Sequence, residues 1–102
     1  MIAVQNIPIP REQIAEFCRK WKVNEFALFG SVLRNDFRPE SDVDVVIRLA
    51  EDAPWSLFEW VEMVDELKAL FGREVDLIDA SGLRNPFRRH EIMSTREVIY
   101  AA

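Results

Sequence analysis

Soft metal ligands and nucleophiles are scarce in this chain. Its 102 residues contain a single cysteine, Cys18, and a single histidine, His90. One cysteine cannot close an internal disulfide, which fits a reducing compartment. Without clustered Cys or His a zinc centre is disfavoured, and His90 reads as a surface or packing residue. Positive charge is also in deficit: 13 Lys and Arg against 18 Asp and Glu leave a formal charge of −5. That balance argues against a general nucleic-acid-coating protein, although an acidic chain still binds phosphates when metal ions bridge the like charges. No apolar run approaches the roughly 20 residues needed to span a bilayer. No basic-then-apolar leader opens the sequence, so no membrane association and a cytoplasmic location are expected. Repeats, low-complexity segments and linkers are missing too, which points to one domain over residues 1–102.

What is present alternates between helix and strand. The opening "MIAVQNIPIP" reads as extended, because each proline biases its predecessor away from helix. A helix is expected from Pro10, with Ile14, Phe17, Cys18 and Trp21 on one face. "EFALFG" (Glu25–Gly30) reads as a strand entering a sharp turn, with a short helix possible from Val32. "VDVVIRL" (Val43–Leu49) is a β-branched strand. The longest helix follows, with Pro54 near its start and Gly72 after its end. A third strand is expected over Arg73–Asp79, a short helix from about Pro86, and an extended piece at Glu97–Tyr100. This order predicts an α/β (α+β) fold around a small sheet.

The chemistry concentrates in "LFGSVLRNDFRPESDVDVVI", Leu28 to Ile47. Gly30 ends a strand and Ser31 follows. Glycine lets backbone approach a ligand, free N–H groups at a helix start favour phosphate, and the serine hydroxyl adds a donor. Asp42 and Asp44 lie two apart, so on a strand their carboxylates share one face, while Val43, Val45 and Ile47 point into the core. Such a pair either raises each other's pKa or recruits a cation. Mg²⁺ suits it, since that ion takes one or two protein carboxylates plus substrate phosphate oxygens. The alternative is a solvated strand face capped by Arg34 or Arg38. Asp76, in "EVDLI", joins the pair if its strand lies alongside, giving three acids of the kind that cage two metals. Asp79 competes in the same segment but reads better as a turn or capping residue.

Taken together, "FGSVLRNDFRPESDVDVVI" followed by "VDLID" resembles the minimal nucleotidyltransferases of the DNA polymerase β superfamily. The shared pattern is Gly-Ser, a spacer of about ten residues, Asp-hydrophobic-Asp, and a later Asp on another strand. Arg34 and Ser41 further match the MNT-type, MntA-like antitoxin group. The resemblance implies a palm-like core of about three main strands, a small mixed sheet with helices packed on one face. It implies that Asp42, Asp44 and Asp76 are catalytic metal ligands for a two-Mg²⁺ site, and that Gly30 and Ser31 meet the β/γ-phosphates of ATP. Ser41 falls within the same nucleotide-binding set. Arg34 either adds charge near the triphosphate or pairs with an acid of the cluster. The implied reaction is attack of a hydroxyl on the α-phosphorus with loss of pyrophosphate, driven by alignment and fixed charge.

No second domain is available to hold a small acceptor, so the resemblance implies a protein partner. That partner is a HEPN ribonuclease toxin, with AMP moved onto a toxin tyrosine. Two alternatives stand beside this: neutralisation of the toxin by occlusion alone, and nucleotidyl transfer to a small molecule. Direct nucleic-acid binding is not expected, and a homo-oligomer is left open. In the long helix Leu57, Trp60, Val61, Met63, Val64, Leu67, Leu70 and Phe71 form a broad apolar stripe. Either it is a deeply seated core helix or part of it meets another chain. Trp55 and Phe58 lie off that stripe and are candidates for exposed contact. Arg84, Arg88, Arg89 and Arg96 concentrate late in the chain, facing either a ligand or partner, or simply solvent and nearby acids.

Overall fold

The computed structural model describes residues 6–102; the start of the segment expected to be extended, residues 1–5, lies outside them. The elements run α1 (Arg11–Trp21), β1 (Val23–Phe29), a 3-10 turn (Gly30–Leu33), β2 (Val43–Leu49) and α2 (Leu57–Phe71). They continue as β3 (Val75–Asp79), a second 3-10 turn (Ala80–Gly82), α3 (Pro86–Thr95) and β4 (Glu97–Ala101). Local chemistry sets these limits. Pro10 occupies the N-cap of α1. Ser56 and Glu59 form a reciprocal capping box at the start of α2, and Gly72 ends it in the left-handed region at φ 69°. Pro86 opens α3, where the Asn85 side chain accepts from the amides of Phe87 and Arg88.

The strands form one mixed sheet in the order β3-β2-β1-β4. β1 is antiparallel to β2 and β4, whereas β2 and β3 are parallel and joined through α2. Strand alternation then separates two faces. Phe26 and Leu28 of β1 and Val43, Val45 and Ile47 of β2 point into the main core with Ile14, Phe17, Met63 and Leu67 of α1 and α2. Ala27, Phe29 and Val46 point the other way into a smaller cluster with Ala80 and Ile92. The core valines of β2 are therefore where the alternation predicts them.

Three particulars differ from the expected arrangement. The two longer helices share one face, but α3 joins the opposite cluster through Ile92, so the helical cover is not one-sided. Glu97–Ala101 is a full fourth strand at the β1 edge. In α2 only Met63 and Leu67 are fully buried, while Leu57 and Val61 are 76% and 52% exposed. A single helix on a sheet buries only the side turned toward it, and the apolar stripe is wider than that side. Phe58 is exposed as expected; Trp55 is not, because its indole stacks edge-on against Trp21 at 5.1 Å and donates to the Trp21 carbonyl. No helix among the described residues is long and apolar enough to cross a membrane.

Candidate active site

β1 ends at Phe29, whose partner across the antiparallel ladder is Asp44. The next residue, Gly30, has φ 75° and opens the 3-10 turn. Two constraints make glycine necessary there. The left-handed backbone disfavours any side chain, and a Cβ would run into Oδ2 of Asp44 while lying 3.3 Å from its Cγ. The Gly-Ser bend is thus packed onto a carboxylate. Val32, fully buried, anchors the turn from below. From the other side Asn6 Nδ2 donates to the carbonyls of Val32 (2.6 Å) and Arg34 (2.8 Å). Asn6 was not legible as a site residue, because a contact spanning more than 25 positions leaves no local pattern.

The parallel β2–β3 register aligns Asp44 directly with Asp76. Their neighbours Val43, Val45, Val75 and Leu77 all enter the main core, so both carboxylates lie on the opposite face. Asp42 precedes Asp44 by two residues and leaves a loop that is tied down. Arg38 N donates to Ser41 Oγ at 3.0 Å, and Arg73 Nη1 donates to the carbonyls of Arg38 (3.2 Å) and Ser41 (3.0 Å). The Ser41 hydroxyl therefore serves this turn, and Ser41 does not border the cleft described below.

Electrostatics tie the acids together. Asp44 is half-buried, and its carboxyl is pushed above the usual carboxylate range, first by burial and then by the charges of Asp76 and Asp42. Arg34 and Arg88 act in the opposite direction. None of the three acids takes part in a salt bridge among the described residues. Nor, among those residues, does any group of three or more His, Cys, Asp or Glu close into a ready metal cage. The donor set nonetheless fits Mg²⁺. All three donors are hard oxygens short of positive charge, and that ion keeps waters and substrate phosphates in its shell, needing only one or two carboxylates from the protein.

Beside these acids lies a cleft of about 870 Å³. It is lined by Gly30, Ser31 and Arg34 of the first 3-10 turn and the residues after it, by Asp44 of β2, and by Arg88, Glu91 and Thr95 of α3. Asp42 and Asp76 are exposed and do not border the cleft itself. Arg34 pairs with Asp36 at 3.1 Å, not with an acid of the cluster. The late arginines divide by geometry. Arg89 donates to the Ala80 carbonyl at 2.7 Å. Arg96 forks onto Glu25 at 2.6 and 3.3 Å and also donates to the Met93 carbonyl. Arg84 is exposed, and Arg88 alone of the four borders the cleft. Asp79 accepts from the amide (3.0 Å) and hydroxyl (2.9 Å) of Ser81, capping the second 3-10 turn as its position suggests.

Comparison with known proteins places these features in context. Residues 10–99 match the model of the family described as the nucleotidyltransferase domain. A relative from Thermococcus cleftensis, protein adenylyltransferase MntA, is 34% identical over 85 residues, covering 83% of this chain and 81% of that protein. A solved toxin–antitoxin complex with AMP-PNP superposes with TM-score 0.72 at 20% identity, covering 92% of this chain and 75% of the matched chain. Another, a tri-AMPylated Shewanella oneidensis HEPN toxin in complex with an MNT antitoxin, gives 0.63 at 20% identity, with 90% and 70% covered. At these identities the structural likeness is one of fold.

Proposed function

The chain belongs to the nucleotidyltransferase domain family and is an adenylyltransferase; from that premise we propose that it is an antitoxin that transfers AMP from ATP to a tyrosine of a HEPN toxin. The observation that carries this reading is the β2–β3 register, which sets Asp44 beside Asp76 on one face with the Gly30 bend packed against Asp44. The names of the MntA relative and of the AMP-carrying HEPN toxin complex support it.

In this reading Asp42, Asp44 and Asp76 hold Mg²⁺, which when bound supplies charge compensation around the reacting phosphate. Gly30 brings backbone close to the β/γ-phosphates, and Ser31 donates a hydroxyl to them. Arg34 adds positive charge on the same side of the cleft. Asp76, the more exposed of the two register partners, takes the proton of the attacking tyrosine hydroxyl. The chain supplies alignment and a fixed field, and the hydroxyl of the partner supplies the nucleophile.

The test is incubation of the protein with its HEPN toxin and ATP labelled at the α-phosphate. Label on a toxin tyrosine, lost in Asp42→Asn and Asp44→Asn, is the expected result. An unlabelled toxin despite demonstrated binding overturns the reading and leaves occlusion in its place.

A further inference from the structure

The nucleotide cleft has a second wall that the acids and the Gly-Ser bend do not supply. α3 presents Arg88, Glu91 and Thr95 to the cleft, at the spacing that shares one helix face. Its rotation is fixed by Ile92, one turn beyond Arg88 and 4% exposed in the cluster with Ala27, Phe29 and Val46. With Ile92 seated, Arg88 lies on the side of α3 that borders the cleft, with its side chain exposed.

The start of this helix is not itself an anion site. The amides of Phe87 and Arg88 already donate to Asn85 Oδ1 at 3.0 and 3.2 Å. Positive charge on this wall therefore comes from the Arg88 side chain. Its neighbours are committed elsewhere, Arg89 to the Ala80 carbonyl and Arg96 to Glu25. Arg88 forms no salt bridge among the described residues, not even with Glu91 one turn along. Arg34, the other arginine lining the cleft, is paired with Asp36. Apart from the metal that the three carboxylates would hold, a polyanion entering the cleft meets one paired arginine and the unpaired Arg88, and a planar guanidinium matches phosphate oxygens in fork geometry.

We propose that Arg88 binds the β- and γ-phosphates of the nucleoside triphosphate in the cleft that it lines together with Gly30 and Ser31. This deepens the nucleotide-site reading above and rests on it. Arg88 then discriminates by phosphate number: a triphosphate reaches it and a monophosphate does not.

Fluorescence titration with N-methylanthraniloyl-labelled ATP and AMP, in the presence of Mg²⁺, tests the proposal on the full chain. Arg88→Ala is expected to weaken ATP binding about 10- to 100-fold, the loss of a charge-assisted hydrogen bond, and to change AMP binding less than about twofold. Arg88→Lys recovers part of the loss, since it restores charge without the fork. Arg84→Ala, the same charge change on an exposed residue outside the cleft, leaves both affinities near wild type. Equal weakening of ATP and AMP, or an Arg84→Ala effect as large as that of Arg88→Ala, overturns the proposal. Unchanged ATP binding in Arg88→Ala also overturns it while leaving the nucleotide site standing. If the wild-type chain binds no ATP, the site reading falls as well.

Discussion

Gly30 and Gly72 both hold left-handed backbone, at φ 75° and 69°, but only Gly30 faces another group. A Cβ at Gly72 meets nothing within 4 Å, so Gly72→Ala carries backbone strain alone. That strain is worth roughly 1–2 kcal/mol, or a fall in Tm of ~5–10 °C for a domain of this size. Gly30→Ala carries the same strain and also drives the new methyl into Oδ2 of Asp44. The carboxylate escapes by rotating, an off-rotamer cost of only about 1 kcal/mol. Its position is what suffers, since a displacement near 1 Å in a reacting constellation costs on the order of 100-fold in rate. The two variants should therefore lose similar stability, within about 1 kcal/mol, yet differ widely in function. Circular dichroism melts give Tm, and adenylyl transfer measured at 20 °C, where both remain folded, gives the rate. Gly72→Ala should stay within a few-fold of wild type, while Gly30→Ala falls by about two orders of magnitude. Near-normal transfer by Gly30→Ala, or an equal loss in Gly72→Ala, would refute the claim that this glycine exists to clear Asp44.

Further outcomes follow from charge and burial. Because burial, Asp76 and Asp42 raise the Asp44 pKa above its unfolded value, the native state holds that proton more tightly. The resulting stability is fullest below the unfolded value, near 3.9, and is lost as pH rises through the raised one. Metal-free Asp44→Asn should thus melt ~2–4 °C higher than wild type at pH 7.5, from about 0.5 kcal/mol of relieved repulsion after solvent screening. The gain should vanish near pH 4; a lower Tm at pH 7.5 contradicts the pKa direction. Arg96 and Glu25 are 24% and 19% exposed and joined by a fork, so Arg96→Ala should cost about 2 kcal/mol in urea unfolding. A loss under about 0.5 kcal/mol would make the pair a surface ornament. Cys18 is buried and its thiol is pushed up to about 12, mainly by that burial. It should resist thiol reagents at pH 8 until the chain unfolds; rapid labelling of native protein would contradict its packing.

Much of this was legible in the residues. "VDVVIRL" marks β2 at Val43–Leu49, because β-branched alternation leaves little other choice. Pro10, Pro86 and Gly72 mark helix limits through backbone chemistry that acts locally. Asp44 and Asp76 were recognisable as neighbours because strand parity settles which way each points once β2 and β3 pair, whereas Asp42, expected on the same strand, stands just ahead of β2. The assignments that required tertiary information were less accessible. Four late arginines look alike in sequence, yet Arg89 and Arg96 hold the fold and Arg88 lines the cleft. The distinction depends on α3 packing through Ile92 on the second face, which its weak apolar pattern does not announce. Trp55 looked free because helical periodicity ignores contacts beyond the helix, and its indole in fact closes on Trp21. Ser41 looked like part of the motif, but its hydroxyl accepts from the Arg38 amide.

The most direct measurement is anomalous scattering from crystals of the chain grown with Mn²⁺ and a non-hydrolysable ATP analogue. The account predicts a manganese peak among the carboxylates of Asp42, Asp44 and Asp76, with the triphosphate lying along Gly30 and Ser31. Metal bound away from those three side chains, or a triphosphate held at another part of the surface, would contradict it.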